Sequence, residues 1–177
     1  MRPLQALPEL RLLTLHQLPF LAVLQLDRLA QLETLEVSGC QRLTRMQGLG
    51  SHPSLRNISL HGCTLLPELP GLGALTGLEE LELAGLRALH ALSGLSCLTA
   101  LTRLRIVETG GLGGLEGLGG LREGNLMQLR EVELLDVGGV EDLPRLHEVT
   151  ALTRLRWSKR GAHPPLLLAP AGAAVGL

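Results

Sequence analysis

The stretch LEELELAGLRALHALSGLSCLTA, residues 78–100, decides the fold because the two stretches before it repeat its pattern. Residues 55–77 read LRNISLHGCTLLPELPGLGALTG and residues 32–54 read LETLEVSGCQRLTRMQGLGSHPS, so each of these repeats is 23 residues long. Shorter matches open downstream and upstream, which places the repeat starts at 10, 32, 55, 78, 101, 129 and 152. A period of this length is typical of a solenoid, in which each repeat packs on its neighbours.

The apolar residues of each repeat indicate a strand followed by a tight return. They stand at positions 1, 4, 6, 9, 12, 15, 18 and 21. The step of two between positions 4 and 6 indicates a β-strand, since alternate side chains share one face. The steps of three that follow fit 3₁₀ or extended polyproline-like turns better than an α-helix. A triangular left-handed β-helix is the alternative solenoid, but it needs a six-residue period, and 23 is not a multiple of six.

This pattern resembles the leucine-rich repeat, L-x-x-L-x-L-x-x-[N/C]-x-L. Leu55, Ile58, Leu60 and Cys63 match its fixed positions, and cysteine also stands at position 9 of the repeat before. These 22- to 23-residue repeats are similar to cysteine-containing repeats of kinetoplastid and other protozoan proteins, and to repeats of phosphatase regulators and internalins. The resemblance implies an α/β-type solenoid, a horseshoe with parallel β-strands on its concave face. It also implies 3₁₀ or extended turns on the convex face and little α-helix.

The chain divides into three parts. Residues 1–9 are half a repeat or an N-terminal cap, residues 10–160 are the leucine-rich repeats, and residues 161–177 are an apolar tail rich in Pro, Gly and Ala. The tail either covers the last repeat or is disordered, and it is too short to span a bilayer. The repeat that starts at residue 101 is five residues too long near 121–125, which is either a tolerated loop or a binding loop.

Composition and motifs exclude several classes of function. The 177 residues carry a net charge of −1, which argues against a strongly basic nucleic-acid binder. Three cysteines are too few and odd in number for a disulfide scaffold. Cys40 and Cys63 should stack in adjacent repeats, as a disulfide or, as we expect, as free buried thiols. The sequence contains no C-x-x-C, H-E-x-x-H or G-x-G-x-x-G motif, so we expect no metal, no cofactor and no enzymatic activity.

The strands carry the informative side chains, because positions 2, 3 and 5 of each repeat should point away from the core. The sign of the charge at these positions alternates from repeat to repeat, so in-register strands should place opposite charges side by side. These rows of charged side chains either pair with one another, which contributes roughly 0–1 kcal/mol per pair, or form an arginine-rich surface that binds a partner. Reversing Glu82 and Arg105 together is expected to leave folding nearly unchanged. The candidate protein-binding residues are Glu33, Glu36, Arg56, Asn57, Glu79, Glu80, Glu82, Arg103, Arg105, Arg130, Glu131, Glu133, Arg154 and Arg156.

The resemblance implies a non-catalytic protein–protein interaction module that binds a protein partner on its concave strand face. The alternatives are a regulatory or adaptor subunit of a phosphatase or ubiquitin ligase, or a fragment of a parasite surface antigen. Nucleic acid is not expected, because the charges alternate and Trp157, at position 6, faces the core and offers no stacking platform. We expect no membrane span and a cytoplasmic location, or the cell surface if the chain is part of a longer protein. The sequence leaves the partner and the oligomeric state open.

Overall fold

A computed structural model describes residues 7–110, 112, 126–137, 151–159 and 166–168 of the chain. These residues form an eight-stranded sheet of order β1-β3-β5-β6-β7-β8-β9-β10 and a two-stranded sheet of β2 and β4. The strands are β1 (Leu12–His16), β2 (Val23–Gln25), β3 (Thr34–Ser38), β4 (Arg45–Gln47), β5 (Asn57–His61), β6 (Glu80–Ala84), β7 (Arg103–Val107), β8 (Glu131–Val137), β9 (Arg154–Lys159) and β10 (Leu166–Leu168).

The main sheet advances by one repeat per strand. Each strand from β1 to β9 in this sheet pairs in parallel with the corresponding residues of the next repeat, so that Leu81 lies between Ile58 and Leu104. At the far end β10 pairs with β9 in the antiparallel direction. The parallel ladder with turn-like returns is a leucine-rich repeat solenoid, and the predicted fold class is confirmed.

Alternation along the strands separates the core from the exposed face. Leu81 and Leu83, at positions 4 and 6 of their repeat, are 1% and 0% exposed, while Glu80 and Glu82 point outward and are half-buried. Each fully buried leucine side chain contributes about 1.5–3 kcal/mol relative to an exposed one. Because no repeat supplies enough apolar area alone, the stacked leucines make one continuous core.

The three-residue leucine spacing has a direct hydrogen-bonding cause. The amide of Leu72 donates to the carbonyl of Leu69, Leu75 to Leu72, and Leu78 to Leu75, at 3.3, 3.0 and 2.9 Å. Among the described returns, three such turns are regular enough to be 3₁₀ helices, at Leu49–Ser51, Leu72–Ala74 and Leu95–Cys97. The described part of the chain contains no α-helix, as the spacing predicts.

In the first two described repeats, the segment that leads back to the next strand contains a short extended stretch. There the extended segments β2 and β4 pair in parallel to form the small sheet on the return side. The next repeat has Pro67 and Pro70 around the corresponding segment. Proline has no amide hydrogen to donate and does not sit inside a paired strand, so the small sheet ends at β4.

In six of the described repeats, the turn after the main-sheet strand has left-handed backbone at position 8. Glycine adopts this conformation in the SGC, HGC and AGL turns, and three repeats place a non-glycine residue there at a steric cost. These residues, with their φ angles, are Gln17 (50°), Gly39 (67°), Gly62 (62°), Gly85 (67°), Glu108 (52°) and Asp136 (53°).

Position 9 buries a small or apolar side chain directly after that turn. Cys40 and Cys63 are free thiols here, both 0% exposed, and each Sγ lies 3.7 Å from the carbonyl oxygen two residues earlier. Burial raises the pKa of the Cys63 thiol to about 11. The long loop near 121–125 and most of the 161–177 tail lie outside the described residues.

Candidate functional site

The exposed side of the main sheet is the surface on which the candidate residues lie. We call it the strand face and define it as the side chains at positions 3 and 5 of the repeats on β1, β3 and β5–β9, together with those at position 7 on β1, β3 and β5–β8. The structure places ten of the fourteen candidates on this face, and the other four (Glu33, Arg56, Glu79 and Arg130) stand at position 2, just before their strands. In-register pairing makes each position a row that crosses the strands at about 4.8 Å per step.

The row at position 5 is a continuous ion-pair ladder across four strands. Arg105 lies between two carboxylates: its Nη1 donates to Glu82, and its Nε donates to Glu133 at 2.8 Å. Glu133 also accepts from Arg156 on β9. Partial burial tends to lower the pKa of Arg105, but hydrogen bonds to Glu133 and Glu82 outweigh it and raise that pKa above its ordinary value. The guanidinium is therefore held charged and in a fixed orientation.

The row at position 3 repeats this arrangement. Arg103 donates from Nη1 to Glu80 at 2.8 Å and from Nε to Glu131 at 3.2 Å. Arg154 completes the row, with its Nη1 3.5 Å from Glu131. In both rows, an arginine on β7 bridges glutamates from the strand on either side.

The residues at position 2 form looser pairs along the rim of the sheet. Arg11 lies 3.1 Å from Glu33, and Arg56 lies 3.7 Å from Glu79. Arg56 also donates from Nη1 to the carbonyl of Gly77 at 2.8 Å, so its side chain is tied to the turn before β6. These pairs are well exposed and contribute at most about 1 kcal/mol each.

The ladder corrects one sequence-based expectation. Reversing Glu82 and Arg105 together preserves their mutual attraction, but it places a glutamate at 105 beside Glu133. The expectation of a nearly neutral double reversal considered only the pair of Glu82 and Arg105 and omitted the contact between Arg105 and Glu133. The double reversal is therefore expected to destabilise the fold.

The strand face is polarised along the solenoid. At positions 3 and 5, strands β3–β6 carry three glutamates (Glu36, Glu80 and Glu82) and no basic residue, whereas strands β7–β9 carry four arginines and two glutamates. A depression of about 230 Å³ lies over β3, β5 and β6 and extends to the arginines of β7. Its floor is Asn57 and Ser59, the short uncharged side chains of β5.

Position 7 adds polar residues to the face that are not among the fourteen candidates. His16 Nδ1 lies 2.5 Å from the hydroxyl of Ser38, and His61 Nε2 lies 3.4 Å from a carboxylate oxygen of Glu82. The signal was present in the sequence, because position 7 follows position 5 by one further alternation on the same side of the strand. His61 therefore extends the polar part of the face next to Glu82, which lines the depression.

The described part of the strand face presents charged and hydrogen-bonding side chains. Within the described ranges there is no group of three His, Cys, Asp or Glu side chains arranged to hold a metal ion. Trp157 packs against the core as position 6 predicts, and its ring nitrogen finds no hydrogen-bond partner among the described residues. Among the helices that the structure describes, none is long and apolar enough to cross a membrane.

The 23-residue period, the parallel ladder and the 3₁₀ returns define a leucine-rich repeat solenoid. Among solved structures, the chain is similar to an internalin (inlF) from Listeria monocytogenes strain 4b F2365, with a TM-score of 0.53 and 20% sequence identity. The similarity covers 84% of this chain and 48% of the internalin chain, so this chain spans about half of its length. No protein-family model matches the sequence, and no curated protein matches it either. At this level of identity the similarity supports the fold alone.

Proposed function

We propose that this protein is a non-catalytic protein-interaction module that binds a partner polypeptide on the strand face. The observation that carries the proposal is the pair of preformed ion-pair rows across β6–β9 beside a depression over β5 that glutamates and arginines border. Such a surface presents side chains from several strands in fixed geometry, and this reduces the entropy lost on binding.

The chemistry of the face favours a protein over other partners. Arginines held by carboxylates on both sides can still offer free N–H groups, and arginine is enriched among the residues that dominate binding energy. A nucleic acid would require a surface of one sign, whereas the rows alternate in sign. The acidic half over β3–β6 and the basic half over β7–β9 would orient a partner of complementary polarity.

The cysteines support a reducing location for this module. Cys40 and Cys63 are buried free thiols and Cys97 is an exposed free thiol. Exposed thiols persist mainly in reducing compartments, which favours the cytoplasm.

The proposal is tested by asking where a selected ligand binds. Peptides are selected from a random library on the immobilised protein, and their affinities for variants are measured by fluorescence anisotropy. Asn57→Trp places a bulky side chain in the depression on the strand face, and Glu68→Trp places the same side chain at an exposed site on the return side. We expect at least tenfold weaker binding to the Asn57 variant and unchanged binding to the Glu68 variant. Equal affinities of the two variants would contradict the proposal.

A further inference from the structure

One residue in the row at position 5 breaks the alternation of acidic and basic side chains. Reading across the strands from β3, the row runs Glu36, Ser59, Glu82, Arg105, Glu133 and Arg156. From Glu82 onward acid and base alternate. Between Glu36 and Glu82, where the alternation would require a base, the chain places a serine. This gap forms part of the floor of the depression of about 230 Å³.

Glu36 lacks the cation that each of the other glutamates in the two rows has. Its carboxylate accepts a hydrogen bond from the hydroxyl of Thr14 at 3.2 Å, and among the described residues no basic side chain pairs with it. Glu82, across the gap, uses Oε1 toward Arg105 and His61. Two carboxylates therefore flank a short side chain that leaves the space between them open.

The protein itself shows what fits between two such carboxylates. Arg105 spans from Glu82 to Glu133, and Arg103 spans from Glu80 to Glu131. In each case the two acids belong to the strands on either side of the arginine, about 10 Å apart across two strand spacings. Glu36 and Glu82 have this same separation in the sheet, with Ser59 at the centre.

We infer that the depression over Ser59 is a slot for an arginine side chain of the partner polypeptide. The incoming guanidinium lies above Ser59, bridges Glu36 and Glu82, and completes the missing rung of the position 5 row. This inference rests on the proposed function, because it names the chemistry that the strand face accepts at β5. The planar guanidinium suits the slot better than an ammonium group, since its fork of donors can face two carboxylates at once.

The probe is the pentapeptide acetyl-Gly-Ser-Arg-Ser-Gly-amide, and its control replaces arginine with citrulline, which has the same shape without the charge. Both are titrated into the full ¹⁵N-labelled chain, and amide shifts are followed by NMR. We expect millimolar binding of the arginine peptide, with shifts centred on Ser59, Glu36 and Glu82. We expect the citrulline peptide to bind more weakly than the arginine peptide by about fivefold or more. Equal affinity for the two peptides, or shifts centred elsewhere, would overturn the slot.

Substitutions of single glutamates distinguish binding in the slot from a general attraction of the peptide to acidic residues on the surface. Glu36→Gln should weaken the arginine peptide about fivefold, whereas Glu68→Gln, the same chemical change on the return side, should leave it unchanged. Because Glu36 is exposed and bonds only to Thr14 among the described residues, its loss should leave the fold intact. Equal effects of the two substitutions would contradict the inference.

Filling the slot from within gives a second, independent readout. Ser59→Arg should abolish binding of the arginine peptide. At low salt its thermal midpoint should also be higher than that of Ser59→Gln, and this difference should shrink at 0.5 M NaCl because salt screens the charges. A Ser59→Arg variant no more stable than Ser59→Gln would overturn the inference. If library peptides still bind the strand face while arginine and citrulline are not distinguished, the slot is wrong and the proposed function stands.

Discussion

Reversing charges along the row at position 5 tests the ladder in a way that single substitutions cannot. The double reversal Glu82→Arg with Arg105→Glu keeps one attraction but turns the contact between residues 105 and 133 into a repulsion between two glutamates. The quadruple reversal adds Glu133→Arg and Arg156→Glu, and restores opposite signs at all three contacts. The loss of the Glu82 contact with His61 is common to both variants and cancels in their comparison.

The size of the effect follows from the exposure of the pairs. The Arg105 and Glu133 side chains are 35% and 19% exposed, so their contact is only partly screened. An exposed pair contributes about 0.2–1 kcal/mol, and replacing an attraction with a repulsion of similar size doubles the difference. The double reversal should therefore be less stable than the quadruple reversal by about 1 kcal/mol, which at a urea slope of about 1–3 kcal/mol per M corresponds to a urea midpoint lower by about 0.3–1 M.

The assay is urea unfolding followed by the fluorescence of Trp157, the single tryptophan, which packs half-buried on the neighbouring strand. Midpoints of the double reversal, the quadruple reversal and the unmodified chain are compared at low salt and in 0.5 M NaCl, where the differences should shrink. A double reversal that matches the quadruple reversal at low salt would refute the continuous ladder.

Four further predictions concern the turns, the core and the thiols. Gly62→Ala should lower the free energy of unfolding by about 1 kcal/mol because φ is 62° there, and Gln17→Gly should raise it by up to about 1 kcal/mol at the equivalent turn; chemical denaturation of both variants checks the sign. Leu83→Ala, at a site with 0% exposure, should cost about 2–5 kcal/mol in the same experiment. Because the pKa of Cys63 in the folded state is raised to about 11, its stabilising contribution should be complete below about pH 8.5 and should decline as the pH rises toward 11. Cys63→Ala should flatten this decline in the free energy of unfolding, measured across the same pH range. The chain contains no tyrosine that would titrate in this range. At pH 8 a thiol reagent should label Cys97 and leave Cys63 unreacted until urea is added.

The repeat pattern predicts most of the solenoid because the strands, the core positions and the returns all recur with the same period. The positions of the strands, the core-facing residues and the three-residue returns all follow from apolar spacing alone. Pairing in register then places opposite charges together, as at Arg103 and Glu80. These features depend on sequence position within one repeat and its direct neighbours.

Features that depend on exceptions to the repeat were not predicted. The small sheet of β2 and β4 does not extend into the next return, where Pro67 and Pro70 stand around the corresponding segment. The buried His52, whose ring nitrogens lie 2.9 and 3.0 Å from the carbonyl oxygens of Leu49 and Leu26, links two neighbouring repeats. Its role depends on contacts between particular returns, which the apolar pattern does not encode.

The candidate site was predicted residue by residue but not as a shape. The sequence identified the alternating charges, whereas the depression over Ser59 required the three-dimensional structure. A serine inside a charged row has no apolar or motif signal of its own. Its significance comes from the lengths of the side chains on either side of it.

The most direct test of the central claim is amide chemical-shift mapping of the full ¹⁵N-labelled chain with a peptide selected from a random library. We predict that the largest shifts fall on positions 3, 5 and 7 of β3 to β7, around the depression over β5. Shifts concentrated instead on the 3₁₀ returns Leu49–Ser51, Leu72–Ala74 and Leu95–Cys97 would show that the partner binds the opposite side and would contradict the account.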